Sequence, residues 1–157
     1  INSKIQMKHF LLPHFYKTIG ILLLLLGIVF CVLYLKFDFN YTTSVFAVIS
    51  IYLDNRFFTI TKTNIIDEIT LMLFVVGFAL IVFSKEKKEA EYLNAFREKA
   101  LVKAVLVNTF LMLFSIFFIY GGGFLGVLVF NVFSVFIFYL IFFYLSLRKH
   151  HRETQNV

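Results

Sequence analysis

Charge, cysteine and tryptophan are all scarce in this chain of 157 residues. Only 15% of the residues are Asp, Glu, Lys or Arg, whereas a soluble domain usually carries about 25%. The one cysteine, Cys31, excludes an internal disulfide and a cysteine-based metal cluster. Tryptophan is absent, so tyrosine has to supply the aromatic residues that favour membrane interfaces. With 61% apolar residues, the composition indicates an integral membrane protein.

The missing charges leave long uncharged stretches. The longest extends from Ala104 to Leu147, and Gly121-Gly122-Gly123 interrupts it near the middle. A helix rises about 1.5 Å per residue, so roughly 20 residues cross a hydrocarbon core of about 30 Å. This stretch therefore predicts two membrane-spanning helices joined by a tight glycine turn.

Two further uncharged stretches predict an all-α membrane protein of four transmembrane helices. No Ala-x-Ala-like cleavage site follows Thr18–Leu35, so we expect a retained helix there and not a signal peptide. Ile69–Ser84 follows Asp67 and Glu68, whose charge suits the first turn of a helix capped by Asn64. The predicted spans, within a single transmembrane domain over 1–157, are about 18–36, 65–84, 101–120 and 124–147. The tyrosines near their ends are Tyr16, Tyr34, Tyr41, Tyr120 and Tyr144.

The distribution of lysine and arginine predicts the orientation. Of the 15 basic residues, twelve lie in the N-terminal segment, the 85–103 region or the tail, and only Lys36, Arg56 and Lys62 lie between the first two spans. Basic residues accumulate on the cytoplasmic side, so we expect a multi-pass protein of the bacterial inner membrane with both termini cytoplasmic. The +6 net charge is thus mostly a topology signal. Anionic lipid headgroups are its expected partner, and no nucleic-acid partner is expected.

The outer loop at 36–63 contains two β-prone runs. Val45–Leu53 is rich in β-branched and aromatic residues, and threonine alternates with other residues in Phe57–Thr63. The polar turn Asp54-Asn55-Arg56 separates the runs, so the pattern predicts a β-hairpin over about 45–62. The alternative is a re-entrant or interfacial helix over Val45–Leu53. An isolated hairpin is marginal in water, so it should rest on the helices or on a partner.

The inner connector at 85–100 is rich in charge. Lys85 and Glu89 are four residues apart and would share a helix face. No proline or glycine occurs from Phe78 to Tyr120, so the second span should continue as a charged helix into the cytoplasm and bend within 90–100. The candidate partner or lipid contacts in this connector and in the basic tail at 148–157 are Lys85, Lys87, Lys88, Arg97, Lys99, Arg148 and Lys149.

Few polar residues lie at membrane depth. Asn108 and Asn131 lie inside the last two spans, and counting from opposite membrane sides places them at different depths. They could line a pathway, although interhelical hydrogen bonds are the commoner use of such residues. Asp67 and Glu68 are the acidic pair nearest the membrane, and helix capping explains them better than an ion path does.

The sequence contains no convincing catalytic or metal-binding motif. No paired carboxylate or cysteine lies near His150-His151, which favours a headgroup-facing tail over a metal site. Gly121-Gly122-Gly123 lacks the Lys-Ser/Thr ending of a phosphate loop, and no nucleophile elbow is present. We therefore expect no catalytic residues, no cofactor and no bound metal.

Several segments together resemble a known group of proteins. They are Leu12–Gly20, Phe57–Glu68, Phe83–Lys87 with Glu91-Tyr92, and Val107-Asn108. They resemble small four-span inner-membrane proteins common in Bacteroidota. The resemblance covers most of the chain and implies the four-span topology and the outer hairpin. It implies no catalytic or binding residue.

Three functions are compatible with these observations. The first is a non-enzymatic accessory or regulatory subunit that binds a protein partner through the charged connector, the hairpin or both. The second is a homo-oligomeric channel or small-solute transporter, with Asn108, Asn131 and the Asp67/Glu68 pair facing a pore. The third is a membrane enzyme that acts on lipid. The lack of a catalytic set and of repeated ionisable residues within the spans favours the first.

Overall fold

A computed structural model describes residues 11–37, 39–51 and 55–155 of the chain. Within these ranges the chain forms helices and one two-stranded hairpin, in the order α1 (Phe15–Phe37), β1 (Thr42–Ile51), β2 (Asn55–Asn64), α2 (Ile66–Val82), α3 (Tyr92–Phe118) and α4 (Gly122–Gln155). The helices α1, α3 and α4 are long and apolar enough to cross a membrane. The fourth, α2, has 17 residues and so rises only about 26 Å.

The chain divides into two compact units. One unit contains the start of α1, the end of α2, and the helices α3 and α4. The other unit, Leu22–Gly77, contains the remainder of α1, the hairpin and the first part of α2.

The predicted hairpin is confirmed and is longer than expected. Thr42 lies opposite Asn64 and Ile51 lies opposite Asn55 in an antiparallel register. Of the predicted turn, Asn55 and Arg56 belong to β2, and Asp54 lies outside the described residues. The alternative of an interfacial helix is wrong over 45–51, because the backbone of this run pairs with β2.

Asn64 closes the base of the hairpin and also caps α2. Its side-chain Oδ1 accepts hydrogen bonds from the backbone N–H groups of Tyr41, at 3.0 Å, and Ile66, at 3.3 Å. Its Nδ2 donates to Asn40 Oδ1 at 2.9 Å. Asn64 therefore caps α2, as expected. It also ties the end of β2 to the segment that precedes β1.

Helices α1 and α2 pack together at Gly27, where a side chain as small as that of alanine would also fit. A Cβ atom added to Gly27 would lie 3.4 Å from both Leu73 Cβ and Phe74 Cε1. This contact lies within the unit that holds the hairpin. Small residues at helix contacts are a common way to bring two backbones together in membranes.

The α3–α4 pair has a core built on small residues. The buried residues of α3 follow a helical spacing and are Leu93, Arg97, Ala100, Ala104, Asn108 and Ser115. On α4 the buried residues are Ser134, Tyr139 and Phe143. Ala100 and Ala104 are almost fully enclosed, so they let the aromatic side chains of α4 pack directly against α3.

The predicted glycine turn joins these two helices. Helix α3 ends at Phe118, Ile119 is extended, and Gly121 has a φ of +67° before α4 begins at Gly122. This left-handed conformation is the one that glycine adopts without steric cost. The location of the turn was therefore predictable from three consecutive glycines.

The inner connector differs from the prediction. Helix α2 ends at Val82, and residues 83–91 are not helical, so Lys85 and Glu89 do not share a helix face. The reason is that Leu12 pairs with this segment: its N–H donates to the Phe83 carbonyl at 2.8 Å, and its carbonyl accepts from Lys85 N–H at 2.9 Å. Leu12 thus satisfies backbone groups that another turn of α2 would otherwise have paired.

Two boundaries change in consequence. The break lies at 83–91 and not within 90–100, so α3 begins at Tyr92, well before the predicted start at 101. Helix α4 continues to Gln155, so the predicted basic tail at 148–157 is helical as far as the structure describes it.

Candidate functional site

Two polar clusters lie within the unit that contains α3 and α4. We call the first the charged junction; it consists of Lys17, Glu86, Glu89, Arg97 and Tyr144. We call the second the amide cluster; it consists of Asn108, Asn131 and Ser134. Both lie among apolar helices, where unpaired polar groups are costly.

Arg97 and Glu89 form the more enclosed half of the charged junction. The guanidinium of Arg97 donates to both carboxylate oxygens of Glu89, with Nη1–Oε1 at 2.5 Å and Nη2–Oε2 at 3.0 Å. Arg97 Nη1 also lies 3.2 Å from Asn94 Oδ1, and its guanidinium carbon lies 5.6 Å from the Phe143 ring centroid. Two-pronged pairing of this kind is the strongest geometry available to an arginine and a carboxylate.

This pairing corrects the predicted role of Arg97. The residue is only 4% exposed, so it is not available as a lipid or partner contact. A buried guanidinium requires a partner of opposite charge. Glu89 supplies that charge because the connector is not helical and folds back over the start of α3.

Lys17 and Glu86 form the other half of the charged junction. Lys17 lies near the start of α1, and its Nζ forms an ion pair with Glu86 Oε1. The same Nζ is 5.1 Å from the Tyr144 ring centroid, and the Tyr144 hydroxyl lies 3.4 Å from Glu86 Oε1. These contacts tie the start of α1 and the end of α4 to the 83–91 segment.

The environment of Glu89 favours its charged form. Burial by itself raises the pKa of the Glu89 carboxyl, whereas hydrogen bonds from Arg97 and from the Glu86 backbone N–H lower it. The positive charges of Arg97 and Lys85 lower it further, so the pKa of Glu89 lies below its ordinary value of 4.5. At neutral pH Glu89 is therefore a carboxylate, whose negative charge neutralises the positive charge of Arg97.

The amide cluster joins α3 to α4. Asn108 Nδ2 donates to Asn131 Oδ1 at 3.1 Å. The Ser134 hydroxyl contacts Asn108 Oδ1 and lies 2.9 Å from the Asn131 backbone carbonyl. Asn131 Nδ2 is buried and has no hydrogen-bond partner among the described residues.

The expected difference in depth between Asn108 and Asn131 was wrong. Both helices meet at one turn, and Asn108 lies ten residues before the end of α3 while Asn131 lies nine residues after the start of α4. These distances are about 15 Å and about 14 Å along the two helices. Counting each residue from the entry side of its own span, with the two entry sides opposite, had concealed this match.

The other predicted contacts do not form one site. Asp67 and Glu68 are exposed in the first turn of α2. Lys85 is half-buried, and the exposed residues of the predicted set are Lys87, Lys88, Lys99, Arg148 and Lys149. Of these, Lys149 lies 3.9 Å from Glu153, one helical turn further along.

The histidines give no metal site in the part of the chain that the structure describes, where no group of three or more candidate ligands occurs. His9 lies outside that part, and His151 is exposed. His150 is half-buried against two aromatic rings, with centroid distances of 4.6 Å to Tyr92 and 5.6 Å to Phe96. It therefore helps to hold the extension of α4 against the start of α3.

Sequence reasoning missed most of the charged junction. Lys17 and Glu86 had been treated as topology and connector charges, and Tyr144 as an interfacial aromatic. One signal was available. Glu86 and Glu89 are acidic residues close to the end of an apolar segment, where basic residues flanking the other segments could pair with them. Nothing in the sequence alone identifies which base pairs with which acid.

Comparison of the chain with protein-family models, with curated proteins and with solved structures gave no match. The geometry must therefore carry the functional argument. In both clusters the polar side chains mostly bind one another, an arrangement that holds helices in register.

Proposed function

We propose that the protein is a four-span accessory subunit of the bacterial inner membrane, with both termini cytoplasmic, which binds a larger protein and catalyses no reaction. One observation carries the proposal. In the most apolar 18-residue stretch of each helix, the buried share of the residues is only 11% in α1, 17% in α3 and 11% in α4. The remaining helix surface has to meet lipid or the helices of another protein, and a subunit of an assembly needs such surface.

The internal polar groups support the same role. The charged junction and the amide cluster use their side chains on each other, and buried polar contacts of this kind specify how helices register. As a fourth span, α2 is short for a core of about 30 Å. Short helices are accommodated by local thinning of the bilayer or by association with other helices.

The exposed cations near the charged junction are the contacts we propose for the partner. Pairing of Glu86 and Glu89 with Lys17 and Arg97 removes two carboxylates from the surface. Lys87 and Lys88 remain exposed. A partner with an acidic surface, or anionic headgroups around it, complements this charge.

The proposal is tested by purification from native membranes in mild detergent after chemical crosslinking. We expect a larger membrane or cytoplasmic protein to copurify with the wild-type chain, and Lys88→Glu to reduce its recovery. Lys62→Glu makes the same charge change on the hairpin and serves as the matched control. A chain that isolates alone under every crosslinking condition would contradict the proposal, and loss of recovery only with Lys62→Glu would move the contact to the hairpin.

A second candidate, a homo-oligomeric channel or small-solute transporter, rests on the amide cluster. The Nδ2 of Asn131, which has no partner among the described residues, is a hydrogen-bond donor nine residues after the start of α4. Reconstituted vesicles would then show solute flux that Asn108→Leu alters. Flux that is absent, or that Asn108→Leu leaves unchanged, would exclude a pathway through this cluster.

A further inference from the structure

One face of the hairpin exposes large apolar side chains. Phe46 and Ile60 lie opposite each other in the register and are 65% and 72% exposed. Val48 and Phe58, each two residues along its own strand, are 53% and 71% exposed. The rings of Phe46 and Phe58 have centroids 6.4 Å apart, so these four side chains form one surface, which we call the apolar patch.

The side chains directly behind the apolar patch are smaller and more polar, yet they are better shielded. Side chains alternate between the two faces of a strand, so the part of the opposite face behind the patch carries Thr43, Val45, Ala47, Thr59 and Thr61, and Ile49 and Phe57 continue that face towards the turn. The five residues behind the patch are half-buried. If the hairpin packed the apolar patch against its own protein, the patch would be the shielded side.

The backbone of Phe58 is an independent indication that the apolar patch is a binding surface. Its φ is +50°, which is an outlier for a bulky residue. Glycine would adopt this conformation without steric cost. Strained backbone persists where the surrounding structure enforces it, and it clusters at binding surfaces.

The membrane is the apolar surface closest to the patch along the chain. Only four residues lie between the end of α1 at Phe37 and Thr42, so the two positions are at most about 18 Å apart. At the other strand, Asn64 is followed almost directly by α2. Phe37, Phe39 and Tyr41 are exposed and continue the exposed apolar surface of α1 along the chain to β1.

We infer that the apolar patch inserts into the headgroup region of the same membrane that α1 crosses. Lys62 is exposed two residues from Ile60 on the same face, and Lys36 is exposed in the last turn of α1; both can meet lipid phosphates. The patch stops at headgroup depth, because the outer edges of a two-stranded sheet leave backbone groups that need water. This anchoring is additional to the accessory role, and it requires neither a partner nor a particular orientation of the termini.

The absence of tryptophan makes the inference directly testable. Phe46→Trp and Phe58→Trp each place a single tryptophan in the apolar patch, and Thr61→Trp places one on the opposite face as the matched control. Each full-length variant is reconstituted at a high lipid-to-protein ratio in phosphatidylcholine vesicles. A second set of vesicles carries bromine near the headgroup end of the acyl chains.

We expect Phe46→Trp and Phe58→Trp to emit at shorter wavelength than Thr61→Trp and to be quenched several-fold more strongly by the brominated lipid. Two aromatic positions are used so that misfolding of one variant does not decide the result. Emission typical of water at both patch positions, without lipid quenching, would overturn the inference. Shielding from aqueous quenchers without lipid quenching would also overturn it, because the patch would then contact protein.

Discussion

The charged junction and the hairpin show opposite arrangements of polar and apolar side chains. In the charged junction, Arg97 and Lys17 are enclosed and each is paired with a glutamate. In the hairpin, Phe58 and Ile60 are more than two-thirds exposed while the threonines beside them are shielded. The difference fits the surroundings that we infer: ion pairs replace water where helices and connector meet, and lipid would replace water at the apolar patch.

A second contrast concerns the left-handed backbone. Gly121 adopts a φ of +67° in the turn between α3 and α4, whereas Phe58 adopts a φ of +50° within the hairpin. The turn uses the residue for which this conformation is easy, and the hairpin uses one for which it is costly. The turn is therefore built for stability, and the hairpin retains a strained aromatic residue on its surface.

Breaking the junction should have the largest effect. Glu89→Ala leaves the Arg97 guanidinium buried without its carboxylate, so we expect a loss of about 3 kcal/mol in the free energy of unfolding. Unfolding by denaturing detergent, followed by circular dichroism, measures it. Glu98→Ala removes an exposed carboxylate from α3, next to Arg97, and should change stability by less than about 0.5 kcal/mol. Equal effects of the two substitutions would show that the buried pair contributes nothing special.

The glycine turn should give the next largest effect. Gly121→Ala places a Cβ on a left-handed residue, and we expect it to destabilise the α3–α4 pair by about 1 kcal/mol. Gly122→Ala is the control, because Gly122 is the first residue of α4 and has open space around it. Since alanine favours helix over glycine, this control should be neutral or stabilising in the same unfolding measurement. Destabilisation by both would contradict the assigned turn.

Removing the interhelical amide contact should have a smaller effect. Asn108→Leu deletes the hydrogen bond to Asn131, and such contacts in membranes contribute about 0.6 kcal/mol on average. Thr109→Leu changes the next residue, which is exposed on α3, and should be close to neutral. A stabilising Asn108→Leu would indicate that the cluster is maintained for a purpose other than packing, such as a pathway.

The pH dependence of the junction should be the smallest effect near physiological conditions. The pKa of Glu89 is lowered in the folded protein, so its contribution is complete above about 4.5 and is lost as the pH falls through the folded value. Unfolding curves should therefore be flat from neutral pH down to about pH 5 and then shift to lower stability. Glu89→Gln should reduce that acid shift, and an unchanged shift would assign it to other carboxylates.

Much of the fold was predictable, because it rests on local patterns. The uncharged runs predicted α1, α3 and α4, the three glycines predicted the turn at Gly121, and the β-branched runs predicted the hairpin. The connector was not predictable in the same way. Its charge spacing is typical of a helix, and only the pairing of Leu12 with Phe83 and Lys85 shows why it is extended.

The candidate site was less predictable than the fold. Asn108 and Asn131 were recognised as notable polar residues, but their contact required the true start of α3 and the shared turn. Arg97 was assigned to the surface because a charged residue outside an apolar run is usually solvated. Its burial depends on Glu89, which comes within reach only when the connector folds back.

Composition and periodicity alone determined that this is a helical membrane protein with a small hairpin, because transfer of apolar segments into lipid and local backbone preferences act along the chain. Which charges pair, which amides meet and which hairpin face is exposed were decided only by the tertiary structure. The physical reason is that ion pairs and hydrogen bonds act over a few ångströms, so they depend on residues such as Lys17 and Glu86 that are distant in sequence and adjacent in space.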